Sequence, residues 1–213
     1  MNWEEYLAIE KNLVKAPDKR GYYSILGNVP ILLTASHSCD HTRHGRVLIG
    51  ERRTAPIITD IANRLNCYAL YKTLNLNDDA NDETSNYFKD VAMDLINDNK
   101  IQLLIDLHIS SPLREHSVEF GTNSLSSLQG RTDLLDILVR GFENSLCKPV
   151  FIDKFFKASK AGNFSRYLHG MTNIPCMQLE INWNTISTEI NCKYFVEILC
   201  DSLSELIQKG LIL

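Results

Sequence analysis

Short apolar runs alternate with amphipathic stretches through most of this chain, a pattern that few architectures accommodate. Within YYSILGNVPILLTASH, two strands meet at the turn-favouring pair Gly27-Asn28. The second, Ile31 to Ala35, reads as a continuous apolar run, as suits a strand covered on both faces. TAPIITDIANRL follows with Thr54 as N-cap, Pro56 in the first turn and a stripe of Ile57, Ile58, Ile61, Ala62 and Leu65 at helical spacing. CYALY is a short strand, SNYFKDVAMDLINDNK a helix with Ser85 as its cap, and IQLLIDLHIS the most hydrophobic strand of the chain. HSVEFGT and PVFID read as strands flanking the helix RTDLLDILVRGFENSL. NFSRYLHG is a short helix closed by Gly170, PCMQLEIN a buried strand, and residues 187–209 a long helix. No repeat or linker interrupts the series. The pattern predicts one α/β domain over residues 1–213, a three-layer structure with a mixed, mostly parallel sheet and helices on both faces. In such sheets ligands gather at the carboxyl ends of the strands.

Those strand ends carry chemistry. Three of the six histidines fall within eight positions, His37, His41 and His44, directly after the Ile31–Ala35 strand. His108 closes LLIDLH, Glu180 lies near the end of CMQLEIN, and Glu51 just precedes the helix that opens at Thr54. Two imidazoles and a carboxylate can hold zinc and leave a fourth position open. A further carboxylate is still required to move protons, and Glu180, ionisable within an apolar strand, suits that task. Each residue alone also has a structural explanation. A histidine after a strand can simply be hydrogen-bonded in the core, Glu51 can complement a helix dipole, and Glu180 can pair with Arg166. The combination is what points to a site, because the candidates converge from separate elements on one rim.

Other residues are weighed against it. Asp106, on the same side of its strand as His108, either orients that imidazole or caps the strand end. Arg46, Arg52 and Arg53 flank Glu51 and either face a developing oxyanion or form a solvated surface. Cys39 is a candidate thiolate nucleophile, though metal chemistry already accounts for its neighbourhood. His41 and His44 read as loop residues, and His116 and His169 as structural or pocket-lining.

Composition narrows the remaining classes. A net charge of −4 gives no support to a nucleic-acid surface. No apolar run approaches the ~18 residues that span a bilayer, and MNWEEYLAIEKNLVKAPDKR lacks the apolar stretch of a signal peptide. The expectation is a cytoplasmic protein, with no membrane partner, whose six scattered cysteines are free thiols.

LLTASHS…HGRVLIGERRT, LLIDLHIS and GNFSRYLHGMTNIPCMQLEIN together resemble the N-formylglutamate amidohydrolase family, over roughly residues 25 to 185. That family shares its fold with the zinc carboxypeptidases. The resemblance implies that His37, Glu51 and His108 bind one zinc ion and that Glu180 is the general base and acid. It makes Arg166 a candidate for a substrate carboxylate and puts Asn81 near the substrate, with Asn182 and Arg52 as further substrate contacts. The chain departs from the family pattern at Asn182-Trp183, at Ser36 and around Asn81, where arginines or a proline are usual. Those departures bear on the substrate rather than on the metal. The function implied is zinc-dependent cleavage of an amide bond in a small N-acyl, even N-formyl, amino acid or peptide-like molecule. The alternatives are a peptidoglycan-type amidase or carboxypeptidase on the same scaffold, and a non-catalytic, metal-stabilised binding domain.

Overall fold

A seven-stranded sheet organises the molecule, and the computed structural model describes all 213 residues. In chain order its strands are β1 (Tyr22–Ile25), β2 (Val29–Ala35), β5 (Cys67–Lys72), β6 (Leu103–Ser110), β7 (Val118–Gly121), β8 (Val150–Ile152) and β9 (Cys176–Asn182). A separate hairpin, β3 (His41–Arg43) with β4 (Arg46–Leu48), projects beside them. The spatial order is β1-β5-β2-β6-β9-β7-β8, parallel throughout except at the β1–β5 and β7–β9 pairings. The helices are α1 (Trp3–Lys15), α2 (Thr54–Leu65), α3 (Tyr87–Asp98), α4 (Thr132–Glu143), α5 (Phe164–Thr172), the short α6 (Trp183–Ile186) and α7 (Glu189–Gln208).

Alternation within each strand divides the side chains between two cores. Ile31, Leu33 and Ala35 of β2, with Leu103, Ile105 and Leu107 of β6, enter a large core shared with α1, α2, α4 and α7. Leu32 and Leu104 point the other way, into a smaller core closed by Phe88, Ala92 and Ile96 of α3 and Phe164 and Leu168 of α5. The expected three-layer α/β arrangement is therefore present. Positions on the second side change character along the strand. In β6 they run Leu104, Asp106, His108; in β9 they run Cys176, Gln178, Glu180. The sheet is apolar where α3 and α5 cover it and polar where it emerges at the carboxyl ends. No helix is long and apolar enough to cross a membrane, and all six cysteines are free and buried.

Several local expectations change. β1 and β2 do meet at Gly27-Asn28, but they do not pair with each other, because β5 lies between them. Gly27 is needed for close approach rather than for a tight hairpin: a Cβ there would stand 2.4 Å from the Asn66 carbonyl oxygen. Thr54 is the first residue of α2, its hydroxyl donating to the Glu51 carbonyl, and α3 is capped by Asn86 instead of Ser85. α5 runs past Gly170 to Thr172 and ends on Asn173 in the left-handed conformation. The charged N-terminal stretch forms α1, opened by a capping box of Asn2 and Glu5.

Candidate active site

Glu51 reaches the end of β2 through a detour of the chain. The β3–β4 hairpin loops away and returns at Gly50, where a Cβ would fall 2.3 Å from the Cys39 backbone. The Glu51 N–H then donates to the His37 carbonyl at 2.7 Å, fixing the two residues side by side. Parallel pairing adds His108 of β6, whose neighbour in register on β9 is Glu180. Two strand ends, the residue before a helix and the adjacent strand thus deliver four functional groups to one cavity.

The two imidazoles, nearly perpendicular to each other, turn the same nitrogen to Glu51. His37 Nδ1 lies 3.5 Å from Glu51 Oε1, and His108 Nδ1 lies 3.2 Å from Glu51 Oε2. One donor atom from each of the three residues falls within 4.8 Å of the others. For metal–ligand bonds of about 2.05 Å, a tetrahedral edge is about 3.3 Å, so these separations suit a single divalent ion. The opposite nitrogens are engaged from behind. His37 Nε2 donates to Asp79 Oδ1 at 2.7 Å, and His108 Nε2 donates to Asp106 Oδ2 at 2.7 Å. Each imidazole is held so that its Nδ1 is turned to the cavity, an arrangement that would suit metal binding.

The supporting carboxylates are themselves satisfied. Asp106, fully buried, also accepts from the hydroxyls of Thr34 and Ser36 and from the Ser36 N–H. Burial would raise its pKa, but His108 and these donors hold it below the usual carboxylate range. Asp79 accepts from Arg43 Nε at 2.6 Å and from the Asn81 N–H at 2.9 Å. Its carboxyl is also held low, as His37 and Arg43 outweigh burial. Burial works against a charge on either histidine, yet the carboxylates around them raise both, His108 strongly through Asp106 and Glu51. His41 stacks flat on His37, ring centroids 3.8 Å apart. His37, His41 and Asp79 form a second metal-capable group, but Arg43 already occupies the Asp79 carboxylate, which suits support of His37 better than a second ion.

Glu180 differs from these carboxylates. Burial pushes its pKa up to about 7, reinforced by Glu51 and opposed by His108. Its one direct partner is Gln178, whose Nε2 donates to Oε1 at 2.5 Å. A chain of amides stands behind it. Asn163 Nδ2 donates both to Gln178 Oε1 and to Asn81 Oδ1, which also takes the Phe164 N–H. Lys89, wholly buried, donates to the carbonyls of Glu83 and Gly162 and so ties the loops carrying Asn81 and Asn163 together.

The resulting cavity, about 440 Å³, has His37, Glu51, His108, Gln178 and Glu180 as its floor. Arg43, Asn81, Asp82 and the segment Phe155–Lys160 form its sides. Of the residues expected near a substrate, Asn81 is at this cavity. Arg166 is not, because its guanidinium turns to the Ser159 carbonyl. Arg52 pairs with Asp40 outside the mouth, and Arg53 lies between Trp3 and Trp183, paired with Glu10. Asn182 caps α6 through its Oδ1 and donates to the carbonyls of Ser111 and Arg114. Cys39 is buried, and burial pushes its thiol up to about 12, which removes a thiolate nucleophile. Asp79, Asn163 and Gln178 were not singled out by the sequence. The cations on the cavity wall are Arg43, Lys157 and Lys160, the two lysines exposed and without an ion-pair partner.

The fold itself is shared with solved structures. No family model matches the chain, and no curated protein matches it. Among solved structures it is similar to a bacteriophage poly-gamma-glutamate hydrolase, with TM-score 0.55, 15% identity, and 90% of this chain and 91% of that one covered. It is similar to a Shewanella denitrificans protein assigned as a carboxypeptidase A, at TM-score 0.60 and 12% identity over 98% and 69% of the two chains. It is also similar to the succinylglutamate desuccinalase of Vibrio parahaemolyticus, at 0.51 and 13% over 89% and 71%. The chain therefore shares the fold of these proteins. The narrower N-formylglutamate amidohydrolase resemblance rests on the sequence motifs alone.

Proposed function

We propose that this protein is a zinc-dependent amidohydrolase that cleaves an amide bond in a small N-acyl amino acid or peptide-like substrate. One observation carries the reading: two imidazoles, each held from behind by a carboxylate, turn Nδ1 to the same Glu51, in a cavity shared with a carboxyl of raised pKa. The donor set of two imidazoles and one carboxylate suits zinc, and His37, Glu51 and His108 would hold it. A zinc ion there supplies Lewis acidity, lowering the pKa of a water and polarising the scissile carbonyl.

The remaining work falls to the chain's own groups. Glu180, with a pKa near the working range, takes a proton from the attacking water and returns it to the departing nitrogen. Gln178 holds its carboxyl in place through Oε1 and leaves the other oxygen for the proton. Arg43 is the cavity arginine available to charge developing on the carbonyl oxygen. Lys157 and Lys160 offer unpaired cations to a substrate carboxylate, the task that Arg166 and Arg52 are turned away from. The hydrolases named above act on γ-glutamyl or succinyl-glutamate bonds by their names, which accords with an acidic acyl-amino-acid substrate.

The test is metal analysis of the purified protein, followed by a panel of N-acyl amino acids with and without chelator. One zinc per chain and chelator-sensitive release of free amine are expected. Glu180→Gln should retain the metal and lose about 10²- to 10⁴-fold in kcat. Bound zinc with no hydrolysis of any acyl substrate, and no effect of Glu180→Gln on function, would favour the binding domain instead.

A further inference from the structure

A second buried polar unit lies beside this cavity without entering it. Glu119 of β7 is fully buried and sits in register with Glu180 of the neighbouring β9. Its Oε1 accepts the backbone N–H of Phe155 at 2.5 Å and of Phe156 at 2.8 Å, and neither N–H has another partner. Its Oε2 faces His116 Nδ1 at 3.4 Å, both atoms buried and otherwise unpartnered. His116 Nε2 lies 2.9 Å from Ser110 Oγ. The residue types are those of a nucleophilic triad, but Ser110 is buried and absent from the cavity walls, so the unit does not act on a substrate.

What it touches is the cavity wall. Phe155 and Phe156 line the cavity, and His116 packs among Phe151, Phe155 and Phe156 with ring centroids 5.8–6.2 Å away. The ends of the wall are anchored separately. Asp153 accepts from the N–H groups of Thr122 and Ser124, and the Lys157 carbonyl accepts from Asn123 N–H at 2.8 Å. Between Asp153 and Lys157 only Glu119 holds the backbone, whereas beyond Lys157 the Ser159 carbonyl accepts from Arg166 and the Lys160 carbonyl from the Asn163 N–H. The segment is also bounded by two non-glycine residues in the left-handed region, Asp153 at φ 51° and Ala158 at φ 52°. Such conformations persist when surrounding contacts over-determine them. A carboxylate taking two adjacent N–H groups provides that constraint.

We propose that Glu119, backed by His116 and Ser110, is a positioning residue that fixes the Phe155–Phe156 stretch of the wall, and Lys157 next to it, against the His37–Glu51–His108 centre and so sets substrate binding. This rests on reading the cavity as the substrate site. The wall carries Lys157 and Lys160, so its displacement alters substrate affinity more than the proton transfers on the floor.

The experiment compares zinc-loaded wild type with Glu119→Ala, Glu119→Asp and Glu119→Gln, by amide hydrogen exchange and by steady-state kinetics on the N-acyl panel. In Glu119→Ala, the amides of Phe155 and Phe156 exchange about 10-fold faster or more, while those of β6 and β9 keep wild-type protection. KM rises about fivefold, with kcat within about twofold and zinc content unchanged. Glu119→Asp, which retains the charge but withdraws it from the two N–H groups, shows a smaller change of the same kind. Glu119→Gln, which keeps an acceptor oxygen, recovers wild-type exchange. Should Glu119→Ala fail to fold, Glu119→Asp decides. Unchanged exchange at Phe155 and Phe156 in folded Glu119→Ala and Glu119→Asp overturns the proposal, as does a loss confined to kcat. If the wild type hydrolyses nothing in the panel, the hydrolase reading fails, while the exchange comparison still decides whether Glu119 holds the wall.

Discussion

His108 and His116 are both buried, and each has a carboxylate and a serine within reach. Their surroundings send them to different work. His108 stands between Asp106 and Glu51, and these carboxylates raise its pKa well above the ordinary value against the cost of burial. His116 is packed among phenylalanines, and burial lowers its pKa, with Glu119 too distant to reverse the effect. The first imidazole turns a nitrogen to the cavity; the second turns both inward, one bonded to Ser110 and the other facing Glu119. A histidine beside a carboxylate is thus uninformative until the direction of its other nitrogen is known.

That contrast can be broken. His108→Ala should reduce bound metal from one ion per chain to a small fraction, whereas His116→Ala should leave metal content unchanged by elemental analysis. Equal losses in the two variants would erase the distinction. Next in size, Asp106→Asn and Asp79→Asn should each weaken zinc binding about 10- to 100-fold in competition with a chromophoric chelator.

A third measurement concerns Glu180 in the metal-free protein. Its folded pKa of about 7 lies above the ordinary carboxyl value of 4.5, so the folded state binds the proton more tightly. The associated stability is fully present below pH 4.5 and is lost as pH rises through about 7. At about 1.4 kcal/mol per pH unit, the loss across that window is on the order of 3 kcal/mol. Glu180→Gln should abolish this slope, giving a higher Tm than wild type at pH 8 and a similar one at pH 4. The smallest effect belongs to the rim. Lys157→Ala and Lys160→Ala should each raise KM for a carboxylate-bearing substrate by about fivefold or less, and added salt should shrink the difference.

The scaffold was readable because burial writes itself into periodicity. Ile31–Ala35, Leu103–Leu107 and Met177–Ile181 each announce a covered strand and hence a layered, mostly parallel sheet, but the strand order stayed hidden, since Gly27-Asn28 suggested a hairpin that β5 separates. The hairpin of β3 and β4 was hidden because HTRHGRVL mixes charge and β-formers without alternation. Asn2 and Glu5 did carry a signal for α1, the three-residue spacing of a capping box, in a stretch dominated by its charges. At the site, His37, Glu51 and His108 stood out by residue type at strand ends. Asp79 did not, since NDDAND offers several acids with nothing to select the one that reaches His37, forty-two positions away. The arginines failed for the opposite reason. Residue type advertised Arg166 and Arg52, but a guanidinium on a long stem settles on whichever carbonyl or carboxylate is nearest.

The in-register pairing of His108 with Glu180 has a consequence for quality control during folding. Had β9 docked one residue out of step, Leu179 would stand where Glu180 belongs, and the acid would be driven into the apolar layer under α2 and α7. A mispaired chain would therefore be both insoluble in its own interior and chemically silent. Strand alignment and the polar floor of the cavity are thus set by one and the same pairing.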